Sequence, residues 1–132
     1  MMQLVATRII TDGVDQLLAF YEQVTGLKAV RLHPLFGEIQ TKQGHLAIAS
    51  SQTVPLLGGN AAEAGANRSV MLDFMVNDVD AVYERLQALD ITFVNEPTNM
   101  PWGNRSLLFR DLDGNLVNFF TPLDAVAKER FN

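Results

Sequence analysis

Four polar side chains stand in segments that otherwise read as strands, and their types suit hydrogen bonding to a small molecule. They are Arg8, Ser50, Asp73 and Asn118. Asn118 is the most informative, because an amide inside the apolar run 116–120 needs a hydrogen-bond partner or a wet cavity on its face of the strand. Arg8 and Asp73 have two readings of equal standing: contact with a ligand, or pairing with each other or with solvent at an open rim.

Apolar residues in the same strands would form the walls of such a site. Alternate side chains share one face of a strand, so the residues that face inward can be grouped by parity. The group that shares the orientation of Asn118 comprises Arg8, Ile48, Ser50, Met71, Asp73, Met75 and Phe120. Trp102 lies in the preceding loop and has two readings. One is a stacking surface for a planar or cationic ligand, and the other is a purely structural role in the loop beside Pro101.

Catalytic and metal chemistry find little support in the composition. The chain has no cysteine, which excludes a thiolate nucleophile and cysteine metal sites, and it has two histidines, His33 and His45. His45 is predicted at an exposed turn and His33 at a surface rim. We therefore predict no catalytic residue, no metal ligand and no cofactor.

Length and charge limit the class of protein. At 132 residues the chain is predicted to form a single domain, and its 48% apolar content is enough for a core. A net charge of −5 argues against nucleic acid as a partner. No apolar run reaches membrane-spanning length, and the first residues lack the features of a signal peptide. We expect a cytoplasmic protein with no membrane partner.

An internal repeat organises the chain. A strand at 4–10 and a helix that follows Val14-Asp15 correspond, 65 residues later, to a strand at 69–76 and a helix that follows Val79-Asp80. Gly44-His45-Leu46 corresponds to Gly114-Asn115-Leu116 at an offset of 70. The predicted plan is module one at 1–50, a flexible linker at 51–67, module two at 68–122 and a C-terminal tail at 123–132.

The segment 101–120, PWGNRSLLFRDLDGNLVNFF, predicts a closing hairpin in module two. Gly114 supplies the positive φ that a tight turn needs, and Asp111, Asp113 and Asn115 can hydrogen-bond their own backbone. Each module therefore reads as βαβββ. The predicted fold is α+β, with curved mixed sheets, helices outside and a concave, partly polar cavity where a ligand would bind.

The duplicated plan, the helix VDQLLAFYEQVTGL and the PWG…DLDGNL hairpin together resemble the vicinal-oxygen-chelate superfamily. Glyoxalase I, extradiol dioxygenases, fosfomycin-resistance enzymes and bleomycin-resistance proteins belong to it. The resemblance implies that metal-using members place ligands at positions that correspond here to Ala6, Ile48, Met71 and Asn118. Alanine, isoleucine, methionine and a neutral amide are poor donors for a divalent cation.

The leading functional hypothesis is a metal-independent protein that binds or sequesters an aromatic or cationic organic molecule. The alternative is a glyoxalase-like lyase, isomerase or dioxygenase, which would use unaligned metal ligands or, without metal, Asp73 and Arg8. A structural subunit with a collapsed cavity is the third class. A homodimer is expected, because modules of this kind complete their sites in pairs.

Overall fold

A computed structural model describes residues 1–131. The backbone forms two compact units, Met1–Asn67 and a second unit that begins at Arg68. The first unit contains β1 (Ala6–Thr11), α1 (Val14–Thr25), β2 (Val30–His33), β3 (Phe36–Gln40), β4 (His45–Ser50), a single 3-10 turn (Ser51–Thr53) and α2 (Val54–Leu57). The second contains β5 (Met71–Met75), α3 (Val79–Leu86), β6 (Thr92–Phe93), β7 (Thr98–Asn99), β8 (Asn104–Arg110), β9 (Leu116–Pro122) and α4 (Ala125–Glu129). The predicted α+β class with two repeated modules is confirmed.

The sheet of the first unit has the strand order β1-β4-β3-β2. β1 and β4 are parallel, and the other neighbours are antiparallel. Helix α1 packs on one face through apolar residues at helical spacing, among them the fully buried Tyr21 and Val24. Gly26 ends this helix in the left-handed conformation, with φ of 73°.

Gly37 shows which face of this sheet α1 covers. A Cβ atom at Gly37 would stand 3.0 Å from Leu18 Cδ1 of α1 and 3.0 Å from the Val30 carbonyl oxygen. Only glycine allows this close approach of strand and helix. Gly37 pairs with Ile48, which is fully buried, so Ile48 faces α1 as well.

The second unit repeats the arrangement with the strand order β5-β9-β8-β6, and β7 also pairs with β8. Asp78 caps α3 by accepting a hydrogen bond from the Ala81 amide at 3.1 Å. Tyr83 of α3 meets the Phe93 ring edge-on at 5.2 Å, and Phe93, Phe109 and Phe119 continue the aromatic cluster. This aromatic face is the core of the second unit, and the opposite face carries Asp73 and Asn118.

The connecting segment 51–67 contains more regular structure than its composition predicts. Ser50 Oγ accepts a hydrogen bond from the Gln52 amide at 3.0 Å, and this contact starts the 3-10 turn that leads into α2. Val54 is buried, so the start of the segment packs on the first unit. The module and linker boundaries given above stay a prediction.

The β8–β9 turn is held by one buried carboxylate. Asp111 Oδ1 accepts hydrogen bonds from the Asp113 and Asn115 amides, both at 2.9 Å, and Asp111 Oδ2 accepts one from Asn115 Nδ2 at 2.8 Å. Gly114 has a φ of 84°, as the turn requires. The turn chemistry predicted from the sequence is confirmed, and it leaves β9 in register with β8 and β5.

Asp111→Ala should lower the free energy of unfolding by about 2 kcal/mol, because buried amide groups would lose a charged acceptor. Chemical denaturation of the variant and the wild type measures the difference. Asp90→Ala, at an exposed site, is the matched control and should change stability by less than about 0.5 kcal/mol. Equal losses in the two variants would contradict a bracing role for Asp111.

Candidate functional site

Asp73 and Asn118 face each other on the open side of the second sheet. They are register partners on the parallel strands β5 and β9, and Asn118 Nδ2 donates a hydrogen bond to Asp73 Oδ1 at 3.1 Å. A carboxylate only accepts, so this contact sets the amide with its nitrogen toward Asp73. Asn118 Oδ1 is buried and has no hydrogen-bond partner among residues 1–131. The pair therefore presents an exposed carboxylate, and beside it lies a buried amide oxygen that no described group satisfies.

Apolar side chains flank this pair on the same face. Met71 and Met75 alternate with Asp73 along β5 and are 44% and 49% exposed, which is high for methionine. β8 is the other neighbour of β9, and its Leu108 is the register partner of Asn118. The exposed Asp73 carboxylate, set among soft apolar groups, forms a surface suited to an organic molecule that donates hydrogen bonds.

Phe120 and Trp102 lie farther along the same unit and have different surroundings. The Phe120 ring is only 4% exposed, and the Phe131 ring packs on it with centroids 5.7 Å apart. Trp102 is 69% exposed and lines a pocket against α4 together with Asn104. Neither aromatic residue is shown in contact with Asp73 or Asn118, and a ligand-binding role for each stays a prediction.

In the first unit the prediction that Arg8 shares one face with Ile48 and Ser50 is wrong, and a ligand-binding role for Arg8 stays a prediction. Arg8 is exposed and pairs with Ala47, so the two share the face opposite α1. Ile48 is fully buried toward α1, and Ser50, 6% exposed, shares its parity. Ile48 and Ser50 therefore belong to the helix-covered side of the sheet and not to its open face.

The error has a precise source in the alignment of the two modules. Arg8 corresponds to Asp73 at the predicted offset of 65, but the register partner of Arg8 is Ala47, whereas the partner of Asp73 is Asn118. The last strands therefore correspond at an offset of 71, one residue more than predicted. Side chains alternate along a strand, so a slip of one residue moves each of them to the other face.

His45 is also placed differently from the prediction. It is the first residue of β4, and its Nδ1 donates to Glu38 Oε1 at 3.2 Å, while Gln40 Nε2 donates to the same oxygen at 3.1 Å. Glu38 and Gln40 share the open face with Arg8 and Ala47. This polar cluster was missed because Glu38 reads as an isolated carboxylate until β3 and β4 are paired.

The hydrogen bonds to Glu38 have a consequence for stability against pH. The bond from the Gln40 amide, followed by the bond from His45, holds the pKa of the Glu38 carboxyl below its usual 4.5, against an opposing effect of burial. Because the folded-state pKa is lowered, the stabilisation is present above pH 4.5 and is lost as the pH falls through the folded-state value.

The Glu38→Gln variant should be less stable than the wild type at pH 6. This difference in the free energy of unfolding should shrink as the pH is lowered toward 3. We expect a deficit of under about 1 kcal/mol at neutral pH, since the pair is partly solvated. Urea denaturation at several pH values measures it. A deficit that grows with acidification would contradict the assignment.

The corrected register leaves the family's metal positions without strong donors. With the offset of 71, these positions are Ala6, Ala47, Met71 and Asn118. None is a carboxylate or an imidazole, the donors that divalent cations prefer in proteins. Within residues 1–131, no three His, Cys, Asp or Glu side chains are grouped so that they could hold a metal ion. These residues do not fit the chelating site of the metal-using members.

Among residues 1–131, no helix is long and apolar enough to cross a membrane. The class of fold is defined by two repeated units, each of which has a mixed sheet with a helix on one face. One of the units carries the polar pair on its open face. The concave cavity expected from the sequence stays a prediction.

Comparison with known proteins places the chain within this class. The family model of the glyoxalase/bleomycin resistance protein/dioxygenase superfamily matches residues 3–119. The chain therefore belongs to this superfamily, and the resemblance inferred from the sequence is confirmed. Protein YraH of Bacillus subtilis (strain 168), described as uncharacterized, is 28% identical over 131 residues, which cover 92% of this chain and all of YraH.

Solved structures agree on the fold. A glyoxalase/bleomycin resistance protein/dioxygenase from Nocardioides has a TM-score of 0.76 at 24% identity and covers 95% of this chain and 86% of its own. A glyoxalase/bleomycin resistance protein/dioxygenase family enzyme from Burkholderia phytofirmans PsJN has a TM-score of 0.80 at 19% identity, covering 92% of this chain and all of its own. Likeness at this level of identity establishes the architecture alone.

Proposed function

We propose that the protein binds a small cationic, partly aromatic molecule on the open face of its second unit, without a metal ion. The observation that carries the proposal is the pair of acceptors at Asp73 and Asn118. An amine, amidine or guanidine would donate to the exposed Asp73 carboxylate, and its binding would have to turn the buried Asn118 Oδ1 outward to accept from the same group. Charge-assisted hydrogen bonds of this kind are stronger than neutral ones.

The surroundings of the pair support an aromatic body behind the cationic group. Met71 and Met75 flank Asp73 and are half exposed, and thioethers make favourable contacts with aromatic rings. The net charge of −5 also favours the approach of a cation over that of an anion.

Metal independence is part of the proposal and rests on donor chemistry. In the superfamily's metal-using pattern, a carboxylate stands where this chain has Asn118, and the three partner positions here are two alanines and a methionine. Binding or sequestration of the ligand then requires only the complementary face, in a protein that we propose to act in the cytoplasm.

An enzymatic role is the second candidate, and the first unit provides the observation that favours it. Glu38 orients His45 through Nδ1, and Arg8 lies on the same open face. A histidine held by a carboxylate, on a face that also carries a cation, could move a proton in a metal-free reaction. Turnover that disappears in His45→Gln while ligand binding persists would favour this candidate.

Benzamidine is the probe that tests the binding function, and benzamide is its neutral isostere. Calorimetry with the purified full chain should give a measurable dissociation constant for benzamidine and weaker binding for benzamide. Benzamidine should also raise the melting temperature, because a ligand that binds only the folded state stabilises it. Equal affinities for the two compounds would overturn the proposal.

Elemental analysis of the same preparation tests the metal-free part. A stoichiometric zinc, iron, nickel or manganese ion, retained after dialysis and bound by the protein's own side chains, would contradict it. Benzamidine affinity that is unchanged by a chelator would support it.

We also propose a homodimer, since a sheet with one open polar face gains from pairing of subunits. Multi-angle light scattering at micromolar concentration should give twice the chain mass of 14.6 kDa. The monomer mass would count against the dimer and leave the ligand proposal untouched.

A further inference from the structure

The pocket that Trp102 lines lies at the far end of the second unit, between α4 and the loop that precedes β8. Its volume is about 450 Å³, within the range of small-molecule sites. Trp102 and Asn104 line one side, and Glu129, Arg130 and Phe131 line the other. Pro122, the register partner of Asn104, is four residue steps along β9 from Asn118, so the pocket is about 13 Å from the Asp73–Asn118 pair.

The C-terminal helix is anchored firmly enough to be a wall of this pocket. Asp124 Oδ1 caps α4 by accepting from the Ala127 amide at 2.8 Å, and Ala127 is buried against the sheet. Phe131 packs on Phe120 of β9. The pocket is thus shaped by packed residues and not by a loose tail.

Three residues that line the pocket each offer something to a ligand: an unpaired acceptor, a cation without a carboxylate partner among the described residues and an exposed aromatic ring. Asn104 Oδ1 is buried and has no hydrogen-bond partner in the described part of the chain. The Arg130 guanidinium stacks 4.8 Å from the centre of the Phe131 ring, and no carboxylate of residues 1–131 lies within salt-bridge distance of it. The Trp102 indole is 69% exposed, which is high for the largest apolar side chain.

We infer that this pocket binds a small aromatic monocarboxylate that carries an amino or hydroxyl group. The carboxylate pairs with Arg130, whose planar donors match it. The ring stacks on Trp102. The amino or hydroxyl group donates to Asn104 Oδ1, which is buried in the free protein and has to turn toward the ligand, and this bond relieves the cost of an unmet acceptor.

Glu129 narrows the class further. It lines the same pocket next to Arg130, so a second negative charge on the ligand would be repelled. Monocarboxylates are therefore expected to bind more tightly than dicarboxylates. The ligand class is opposite in charge to the one proposed for Asp73, so the two sites are independent and can be tested separately.

The single tryptophan makes the test direct, because the chain has one indole N–H resonance. Titration of the full chain with 4-aminobenzoate should shift that resonance with saturation. The matched probes are 4-methylbenzoate, which lacks the donor, 4-aminobenzamide, which lacks the charge, and terephthalate, which has two charges. Each should bind at least about tenfold more weakly than 4-aminobenzoate.

Two variants assign the contacts. Arg130→Gln should weaken 4-aminobenzoate about tenfold or more without affecting 4-aminobenzamide. Asn104→Leu should remove the preference for 4-aminobenzoate over 4-methylbenzoate. Arg68→Gln, the same change of charge at an exposed site in the same unit, and Asp73→Asn should leave the affinity unchanged.

The inference is overturned if the indole resonance does not move. It is also overturned if 4-aminobenzamide binds as tightly as 4-aminobenzoate, or if Arg68→Gln lowers affinity as much as Arg130→Gln. Failure here with benzamidine binding intact would leave the Asp73–Asn118 proposal in place, and the reverse result would leave this pocket in place.

Discussion

Asp73→Asn should reduce benzamidine affinity by about 10-fold to 100-fold, the value expected for losing charge-assisted hydrogen bonds. The substitution keeps the shape of the side chain and removes only its charge. Its neighbour Asn118 retains an acceptor, because the new amide still offers an oxygen to Nδ2. Stability should therefore change little, and calorimetric titration measures the loss of affinity.

Asp90→Asn is the control for this result, since it removes one negative charge from an exposed position of the same unit. It should leave benzamidine affinity within about twofold, because an exposed charge that does not contact the ligand is screened by water and salt. An equal loss in both variants would mean that net charge, and not Asp73, attracts the cation.

Asn118→Leu gives an independent check with an opposite signature. It removes a buried unpaired acceptor, so the free energy of unfolding should stay level or rise by about 1 kcal/mol. Benzamidine binding should weaken at the same time. A gain in stability with a loss of affinity is typical of residues retained for function. A variant that is both less stable and unaffected in binding would argue that Asn118 is structural.

Ile48→Ala should cost about 2–5 kcal/mol of unfolding free energy, because the side chain is fully buried against α1 and its loss leaves a cavity. Against a total stability of about 5–15 kcal/mol, this loss is large. Chemical denaturation measures it. Ligand affinity of the folded fraction should not change.

The comparison with Leu32→Ala makes this result diagnostic of strand parity. Leu32 is 51% exposed on β2 of the same sheet, so its truncation should cost less than about 0.5 kcal/mol. If Ile48 faced the open side instead, its truncation would resemble that of Leu32 in its small effect on stability. That outcome would restore the offset of 70 and refute the register.

Local signals in the sequence were sufficient for much of the architecture. The alternation of apolar residues, the glycine at the end of α1, the Asp78 cap and the Asp111–Asn115 turn each act within a few residues. Such interactions can be read from neighbours in the chain. The repeat indicated two modules of the same plan, and the hairpin and helix motifs indicated the superfamily. The candidate pair Asp73 and Asn118 followed from the polar residues in the strands that this pattern defines.

Only the tertiary structure decided which side chains of β4 lie on the face opposite α1. It alone also decided that a pocket forms beside α4. The register between β1 and β4 depends on contacts between residues that are 39 positions apart in the chain. A shift of one residue places Ala47 on the open face, where the sequence had predicted Ile48. The Glu38–His45 contact needed the same pairing. Likewise, nothing local places Arg130 beside Trp102. Their proximity arises because Phe131 packs on Phe120 and brings α4 over the sheet.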